Sequence, residues 1–391
     1  MISKGHKKHK DLVRASYGSY GRNEWAILGT DCNNIKAIAN KIMQTLSTTY
    51  KCAYIDTKHT KGDTAEPLPD HLASGCIIEN IDHLTYQQFN YHKKITDNEY
   101  KQLFSQTDIV LVNGNHHQAK SQIIVIDSYK KLSLQKRVDQ LNNVQLILLA
   151  DNEDEVFDFI KVTVKGWEQL PICKVSNIEA VIQFVEQQMK QAVPFLNGLV
   201  LAGGKSVRMG YDKNEIKWHG KEQMYFMYDM LQQYCKDVYI SCRHDQQLTI
   251  SGNYKSLPDT FTDLGPYGAI LSAFRNDPNV AWLVIACDMP LLSKSTIEYL
   301  VDSRSTTHIA TTFQSPHDNL PEPLITIWEP KSYPVLLSFL SLGSTCPRKV
   351  LQKNEIHMIS AFNTSELMNV NTPEDIETVK SIIKQNNIGK Q

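Results

Sequence analysis

The feature of this sequence that most constrains its fold is the alternation of short apolar runs with helical patterns, which continues through both halves of the chain. In the first half, runs rich in Ile, Val and Leu occupy residues 25–29, 52–56, 108–112, 122–127 and 145–150. Nearly continuous apolarity is typical of parallel strands that are buried on both faces. Between the first two runs, helical spacing relates Ile35, Ile38, Ile42 and Leu46. This arrangement predicts the α/β class.

The second half repeats the same rhythm. Strands are predicted over residues 196–201, 238–241, 281–286, 308–312 and 324–328, and helices over residues 225–234, 296–301, 333–339 and 375–383. The last of these helices has a clear start, because Thr372 stands at the cap position and Pro373 at the first helical position.

A long helix is predicted between the halves, over residues 176–193. Ser176 and Glu179 have the spacing of a capping box, and Pro194 ends the pattern. At roughly 150 residues per domain, the 391 residues have room for two or three domains. We therefore predict two three-layer α/β domains, over residues 1–192 and 193–391, that meet near residues 190–196.

Composition excludes several classes of protein. Lys and Arg number 41 against 42 Asp and Glu, so the formal net charge is −1, which argues against a nucleic-acid-binding protein. The eight cysteines contain no CxxC and no zinc-type spacing, as in a reduced protein. The apolar runs are much shorter than the ~18–20 residues that span a bilayer, and the basic start lacks the apolar region of a secretory signal. We expect a cytoplasmic protein without a nucleic-acid or membrane partner.

The stretch with the strongest chemical signal is LAGGKSVRMGYDK, residues 201–213. An apolar strand leads directly into Gly203 and Gly204, and Lys205, Arg208 and Lys213 follow. Glycines let backbone N–H groups approach a phosphate closely, and three cations neutralise much of the charge of a triphosphate. On its own, the stretch is equally compatible with a tight turn followed by a solvated basic loop.

Two aspartates follow apolar segments in the same half. Asp288 comes at the end of the run AWLVIACD, where a carboxylate commonly binds Mg²⁺ or a ligand at the edge of a parallel sheet. A helix cap or turn is the alternative role for such an aspartate. Asp259 follows a shorter apolar stretch and precedes a turn at Gly265 and Pro266, and alone it indicates only a loop.

Taken together, these segments resemble a known family. Their order is LAGGKSVRMGYDK, Asp259, a Gly-Pro turn, CDMP at 287–290, PEPL at 321–324 and NVNTPED at 369–375. The order and spacing resemble the molybdenum cofactor guanylyltransferases, which are MobA-like nucleotidyltransferases, over about residues 196–386. The resemblance implies a Rossmann-like nucleotidyltransferase domain that transfers GMP from GTP to the molybdopterin cofactor and releases pyrophosphate. Cytidylyl or sugar-phosphate nucleotidyl transfer, or a non-catalytic nucleotide- or pterin-binding accessory role, are the alternatives.

The resemblance also implies roles for individual residues. The implied catalytic residues are Arg208, Lys213 and Asp288, of which Asp288 binds Mg²⁺ and the two cations contact phosphates. The remaining implied contacts are made to the guanine nucleotide by Leu201, Ala202, Gly203 and Asp259, and on the acceptor side by Asn369 and Asn371. Mg²⁺ is the implied cofactor, GTP and molybdopterin are the implied substrates, and molybdoenzymes or their chaperones are further partners.

The sequence departs from the family pattern at two places. Where the family has GPLAG, residues 265–269 have Tyr267 in place of Leu and the Ala-Gly order inverted. The strand over residues 238–242 lacks the Asn that such enzymes place there. Base selectivity is therefore not predicted from that strand.

The first half resembles MobB, the molybdopterin-guanine dinucleotide adaptor, which has a P-loop GTP-binding fold. A Walker A loop requires G-x-x-x-x-G-K-[ST]. Gly29 matches the first position, but Asn34, Ile35 and Lys36 replace the second Gly, the Lys and the Ser/Thr. The sequence predicts a degenerate P-loop-like domain, retained as a scaffold, a dimer surface or a cofactor-handling surface.

A histidine pair follows one predicted strand of the first half. His116 and His117 are residue types that bind metals or a pterin phosphate, but a solvated or hydrogen-bonding loop pair is the favoured interpretation.

Overall fold

The computed structural model describes residues 12–58, 67–202 and 217–388, and their side chains as far as residue 384. The chain divides into two compact units, an amino-terminal unit of Tyr17–Ala192 and a carboxyl-terminal unit of Val193–Gln391 with Met1–Ser16. The segment before Tyr17 joins the second unit through Asn279. The Asn279 Oδ1 accepts from the Ser16 amide at 2.7 Å, and its Nδ2 donates to the Arg14 carbonyl at 2.9 Å.

The amino-terminal unit is built on a six-stranded parallel sheet with strand order β2-β5-β1-β6-β7-β8, and a separate antiparallel hairpin pairs β3 with β4. Its described elements are β1 Glu24–Leu28, α1 Cys32–Leu46, β2 Cys52–Ile55, α2 Asp70–Ala73, β3 Ile78–Asp82, β4 Gln87–Tyr91, α3 Asp97–Leu103, β5 Ile109–Asn113, β6 Ser121–Ile126, α4 Lys131–Gln135, β7 Val144–Leu149, α5 Asp158–Thr163, β8 Ile172–Lys174 and α6 Ile178–Gln191.

Both faces of this sheet are buried, so the unit has three layers. The side chains of β1 alternate between the faces: Ile27 packs among residues of α1 and α6, whereas Leu28 packs among residues of α4 and α5. Continuous burial along β1, β5 and β6 explains why apolar residues follow one another in these strands rather than alternate with polar ones.

Some local details of this unit differ from the predictions. Helix α6 is capped by Asn177, whose side chain accepts from the Ala180 amide at 3.3 Å, so the predicted capping box of Ser176 and Glu179 is wrong. The Ser176 amide instead donates to Asp151 at 3.3 Å, which keeps Ser176 in the preceding turn. The hairpin of β3 and β4 was not predicted, because its largely exposed strands lack an apolar run.

The carboxyl-terminal unit contains a seven-stranded sheet with strand order β11-β10-β9-β12-β14-β13-β15. Strand β14 is antiparallel to both its neighbours, and the other pairs are parallel. The described elements are β9 Leu196–Leu201, α7 Gln223–Leu231, β10 Val238–Cys242, β11 Ser256–Pro258, α8 Pro266–Asn276, β12 Ala281–Ala286, α9 Lys294–Asp302, β13 Ala310–Gln314, β14 Pro321–Trp328, α10 Ser332–Ser341, α11 Pro347–Gln352, β15 His357–Ile359 and α12 Pro373–Ile388.

This sheet is also covered on both faces. Leu283 and Ile285 of β12 pack among residues of α7 and α9, while Trp282 and Val284 pack among residues of α8 and α10. The α/β class with two three-layer units is therefore confirmed. Among the described helices of either unit, none combines the length and the apolar character needed to cross a membrane.

Two helix starts can be compared with the predictions from the sequence. Thr372 behaves as predicted, because its Oγ1 accepts from the Asp375 amide at 3.2 Å and its own amide donates to Asp375 Oδ2 at 2.8 Å. The Gly-Pro pair was predicted only as a turn, but it begins the buried helix α8. Gly265 precedes that helix with φ +55°, and Pro266 is its first residue.

Candidate functional site

Four predicted site residues lie at one edge of the seven-stranded sheet. Leu201 ends β9 and Ala202 follows it, Asp259 follows β11, and Asp288 comes two residues after β12. Because β9, β10, β11 and β12 are parallel, their carboxyl ends share this edge. In open α/β sheets that edge is where ligands bind.

Asp259 makes two hydrogen bonds with the neighbouring strand, one as acceptor and one as donor. Its Oδ1 accepts from the Ser241 hydroxyl at 2.8 Å, and its amide donates to the Cys242 carbonyl at 2.9 Å. Burial raises the pKa of Asp259, and the Ser241 hydrogen bond opposes that shift. Ser241 was not predicted as a site residue, because a lone serine within an apolar strand carries no sequence signal.

Glu322 is a third acidic residue at this edge, near Asp288. Strands β12 and β14 are antiparallel, with Ile285 paired to Ile325, and continuation of this register places Glu322 opposite Asp288. Burial raises the pKa of Glu322, the Arg348 guanidinium lowers it, and the negative charges of Asp318 and Asp288 raise it further. The interaction with Asp288 supports the proximity that the register indicates.

Arg348 connects Glu322 to the loop between β13 and β14. Its Nη2 lies 3.3 Å from Glu322 Oε2, and its Nη1 lies 2.9 Å from Asp318 Oδ2. Glu322 is 7% exposed, so its carboxylate requires such a partner. The PEPL segment was noted in the sequence, but neither Glu322 nor Arg348 was assigned a role. The available signal was the carboxylate of Glu322 within a largely apolar segment.

The segment around Asn369 is attached to the same edge. The Val370 amide donates to the Asp288 carbonyl at 2.8 Å. The buried side-chain oxygen of Asn369 accepts no hydrogen bond in the described part of the chain, and such an oxygen costs free energy unless a donor reaches it. The Asn371 amide donates to Asp375 Oδ2 at 2.8 Å, so the cap of α12 orients this segment.

The predicted basic loop falls outside the described residues. Gly203, Arg208 and Lys213 belong to residues 203–216, which lie between two described ranges of the chain. Their implied contacts with the nucleotide remain predictions.

The donor set at this edge is compatible with Mg²⁺. Within residues 12–58, 67–202 and 217–388, three or more His, Cys, Asp or Glu side chains do not converge as a metal site would require. Mg²⁺ usually binds through one or two carboxylates together with substrate phosphates, rather than in an all-protein cage. Asp288, with Glu322 near it, matches that mode of binding.

In the amino-terminal unit, the degenerate loop connects the central strand β1 to α1. Gly29 has φ +101°, and a Cβ at this position would lie 2.2 Å from the Val125 carbonyl oxygen, so glycine is required. Asp31 caps α1, and its Oδ1 accepts from the amides of Asn33 at 2.9 Å and Asn34 at 3.1 Å. These are amides that a bound phosphate would contact at a helix N-terminus. A carboxylate already occupies that position.

The histidine pair makes hydrogen bonds at the same edge of this unit's sheet, as the favoured interpretation predicted. His116 Nε2 lies 3.2 Å from the Cys32 Sγ. His117 Nε2 lies 2.8 Å from the Thr57 hydroxyl, and its Nδ1 lies 3.3 Å from the Tyr20 hydroxyl.

An open, mostly parallel sheet with acidic residues along its carboxyl edge is an arrangement on which nucleotide-binding sites are commonly built. The model of the MobA-like NTP transferase domain matches residues 198–358. A molybdenum cofactor guanylyltransferase of Xanthomonas euvesicatoria is 32% identical over 186 residues, which cover 45% of this chain and 90% of that protein. The chain therefore belongs to the molybdenum cofactor guanylyltransferase family, whose members are nucleotidyltransferases.

Two further similarities extend the comparison. A molybdenum cofactor biosynthesis bifunctional protein of Synechocystis is 35% identical over 181 residues, which are 46% of this chain and about half, 52%, of that protein's length. The solved structure of the molybdopterin-guanine dinucleotide biosynthesis protein A of Archaeoglobus fulgidus aligns with a TM-score of 0.42 at 20% identity, over 48% of this chain and 99% of that one.

Proposed function

We propose that the carboxyl-terminal unit transfers GMP from GTP to the molybdopterin cofactor, forming molybdopterin guanine dinucleotide and pyrophosphate. The observation that carries this proposal is the meeting of Leu201, Asp259 and Asp288 at one sheet edge, in a chain of the guanylyltransferase family. The other named nucleotide contacts, Gly203, Arg208 and Lys213, are assigned by the family resemblance.

The chemistry requires charge stabilisation more than proton transfer. A phosphate oxygen of molybdopterin attacks the α-phosphorus of GTP in line, and pyrophosphate leaves. A phosphate monoester is largely ionised near neutral pH, so the nucleophile needs no strong base. Negative charge builds on the α-phosphate oxygens and on the bridging oxygen to the leaving group, and Lys213 and Arg208 stabilise it electrostatically.

Asp288 is the residue that would hold Mg²⁺. When bound, Mg²⁺ neutralises phosphate charge and orients the triphosphate. The protein's contribution is to fix Asp288: its carbonyl accepts from the Val370 amide at 2.8 Å, which ties the metal-binding residue to the acceptor-side segment. Glu322 and its partner Arg348 lie on the opposite strand and the helix beside it, where they set the local charge.

In this proposal, the two substrates bind at different parts of the site. Asp259, oriented by Ser241, faces the nucleotide side, where a carboxylate accepts from N–H or O–H groups. Asn369 and Asn371 form the acceptor side. The Asn369 oxygen, which no donor reaches within the described part of the chain, suits an N–H donor, and a pterin ring supplies such donors.

The test is to incubate the purified full-length protein with molybdopterin, Mg²⁺ and either GTP, CTP, ATP or UTP, and to detect the dinucleotide by mass spectrometry. We expect product with GTP alone. Turnover with CTP alone would refute the guanylyl assignment in favour of cytidylyl transfer. No product with any nucleotide, despite binding, would indicate an accessory protein.

Variants identify the residues involved. We expect Asp288→Asn to lower turnover about 100-fold or more, since transition-state charge stabilisation is often of that size. Asp302→Asn, at the carboxyl end of α9, is the matched control and should leave turnover unchanged. Lys213→Ala should also reduce pyrophosphate release. Unchanged release in both the Lys213 and Asp288 variants would refute the catalytic assignment.

A further inference from the structure

Cys32 and His116 form a pair at the sheet edge of the amino-terminal unit. Neither residue is assigned a role in nucleotidyl transfer. Cys32 is the first residue of α1, and His116 lies on the loop after β5. Their Sγ and Nε2 atoms are 3.2 Å apart. Both residues are partly exposed.

The surroundings hold this pair in place. The Asn115 side-chain amide lies 3.8 Å from the Cys32 Sγ and also donates to the Thr30 carbonyl at 2.8 Å. The loop is anchored because the His116 amide donates to the Asn113 carbonyl at 3.1 Å, and Arg137 donates to the Asn115 carbonyl at 3.0 Å. A base and an N–H donor therefore both point at one sulfur, at the first turn of a helix.

Such surroundings favour a nucleophilic sulfur. The thiolate, not the thiol, is the nucleophile, and a base within hydrogen-bonding distance can take the thiol proton as the sulfur attacks. Other cysteines of the chain have different environments. Burial raises the pKa of Cys52 and Cys242 to about 11 and that of Cys235 to about 12.

We propose that Cys32 is a nucleophilic cysteine with His116 as its proton acceptor, a site that reacts with small soft electrophiles. In the reaction with iodoacetamide, the thiol proton passes from Sγ to His116 Nε2. The sulfur electron pair then forms the bond to the methylene carbon, and iodide leaves with the electrons of the carbon–iodine bond. The proposal is independent of the nucleotidyltransferase activity.

The competing explanation is a structural hydrogen bond with ordinary reactivity. The two can be separated by measuring alkylation of each cysteine in the folded full-length protein at pH 7, with limiting iodoacetamide and peptide mass spectrometry. Cys76 and Cys346 are internal standards, because both are also partly exposed. A free thiol is only a few per cent thiolate at pH 7, so a base that accepts the proton increases the reactive fraction. We expect Cys32 to react about tenfold faster than either standard.

The matched variants are His116→Gln and His117→Gln. His117 neighbours His116 on the loop but contacts Thr57 and Tyr20. We expect His116→Gln to reduce the Cys32 rate about tenfold, to that of the standards, and His117→Gln to leave it unchanged. A Cys32 rate in the parent equal to the standards would overturn the proposal, as would an unchanged rate in His116→Gln. Equal losses in both variants would indicate a general loop effect and exclude His116 as the base.

Discussion

At the scale of single residues, two carboxyl groups at the sheet edge of the carboxyl-terminal unit lose hydration by burial and gain polar partners in exchange. Asp259 and Glu322 are both buried enough for burial to raise their pKa values, and each is held by a polar partner, Ser241 or Arg348. A buried carboxylate costs free energy unless polar partners compensate for its lost hydration. That cost is characteristic of binding sites, where ligand groups complete the interactions of the charged side chain.

The raised pKa of Asp259 predicts that the free energy of unfolding decreases as pH rises. An acid whose folded-state pKa exceeds its unfolded value, about 3.9, stabilises the fold in its protonated form. That contribution is complete below the unfolded pKa and is lost as pH rises through the folded pKa. Asp259→Asn keeps an acceptor for Ser241 without the charge, so its stability relative to the parent should increase from pH 3.5 to pH 7.

Thermal melts of the parent and Asp259→Asn across that pH range measure this effect. Asp263→Asn serves as the control, because Asp263 is an exposed carboxylate in the loop that follows. A difference between Asp259→Asn and the parent that is constant with pH would contradict the prediction.

At the scale of elements, the strand and helix ends position the chemistry. Helix α8 begins directly at the Gly265–Pro266 turn, and its first residues pack against the backbone of the preceding loop. A Cβ on Gly268 would lie 2.1 Å from the Phe261 carbonyl oxygen. The inverted Ala-Gly order of this chain therefore places a glycine where the loop after Asp259 approaches the helix.

Gly265 is expected to contribute to stability through its backbone conformation alone. Its φ is +55°, and a Cβ added there would have no atom within 4 Å among the described residues, so Gly265→Ala meets no steric clash with them. A residue with a side chain in this region of φ and ψ costs about 1–3 kcal/mol. We expect Gly265→Ala to lower the free energy of unfolding by that amount.

Urea titration provides the measurement, and Gly252→Ala is the matched control. Gly252 also has open space around its Cα, but its φ is not in the positive region. A loss of stability in Gly252→Ala as large as that in Gly265→Ala would show that the backbone conformation of Gly265 is not the cause.

At the scale of the whole molecule, we propose that the chain folds as two domains joined near residues 192 and 193, and that only the second binds GTP. In the first, strand β1 leads into helix α1, but Asp31 occupies the helix amides that a phosphate would need. Like charges repel, so this carboxylate opposes the binding of a triphosphate. The loop also lacks the Walker lysine and serine.

The stoichiometry of GTP binding tests this division. Isothermal titration of the full-length protein should give one GTP site per chain, and Lys213→Ala should weaken that site. Asp31→Asn, which removes the charge but retains a capping oxygen, should leave the stoichiometry at one. A second site in the parent protein would show that the amino-terminal loop is functional.

The sequence alone determined the α/β class, most of the buried strands, and the position of Asp288 after a strand. These are local properties: continuous apolarity marks a strand buried on both faces, and the residue that follows such a strand lies at a sheet edge. The cap of α12 was equally local, since Thr372 and Asp375 are three residues apart.

The tertiary structure decided what depends on distant pairing. Glu322 comes near Asp288 because β14 runs antiparallel beside β12, and no short-range pattern specifies that strand order. Arg348, Ser241 and the Cys32–His116 pair likewise meet their partners across 26, 18 and 84 residues. Side-chain chemistry at a sheet edge is set by which strand ends become neighbours, and only packing of the whole sheet determines that arrangement.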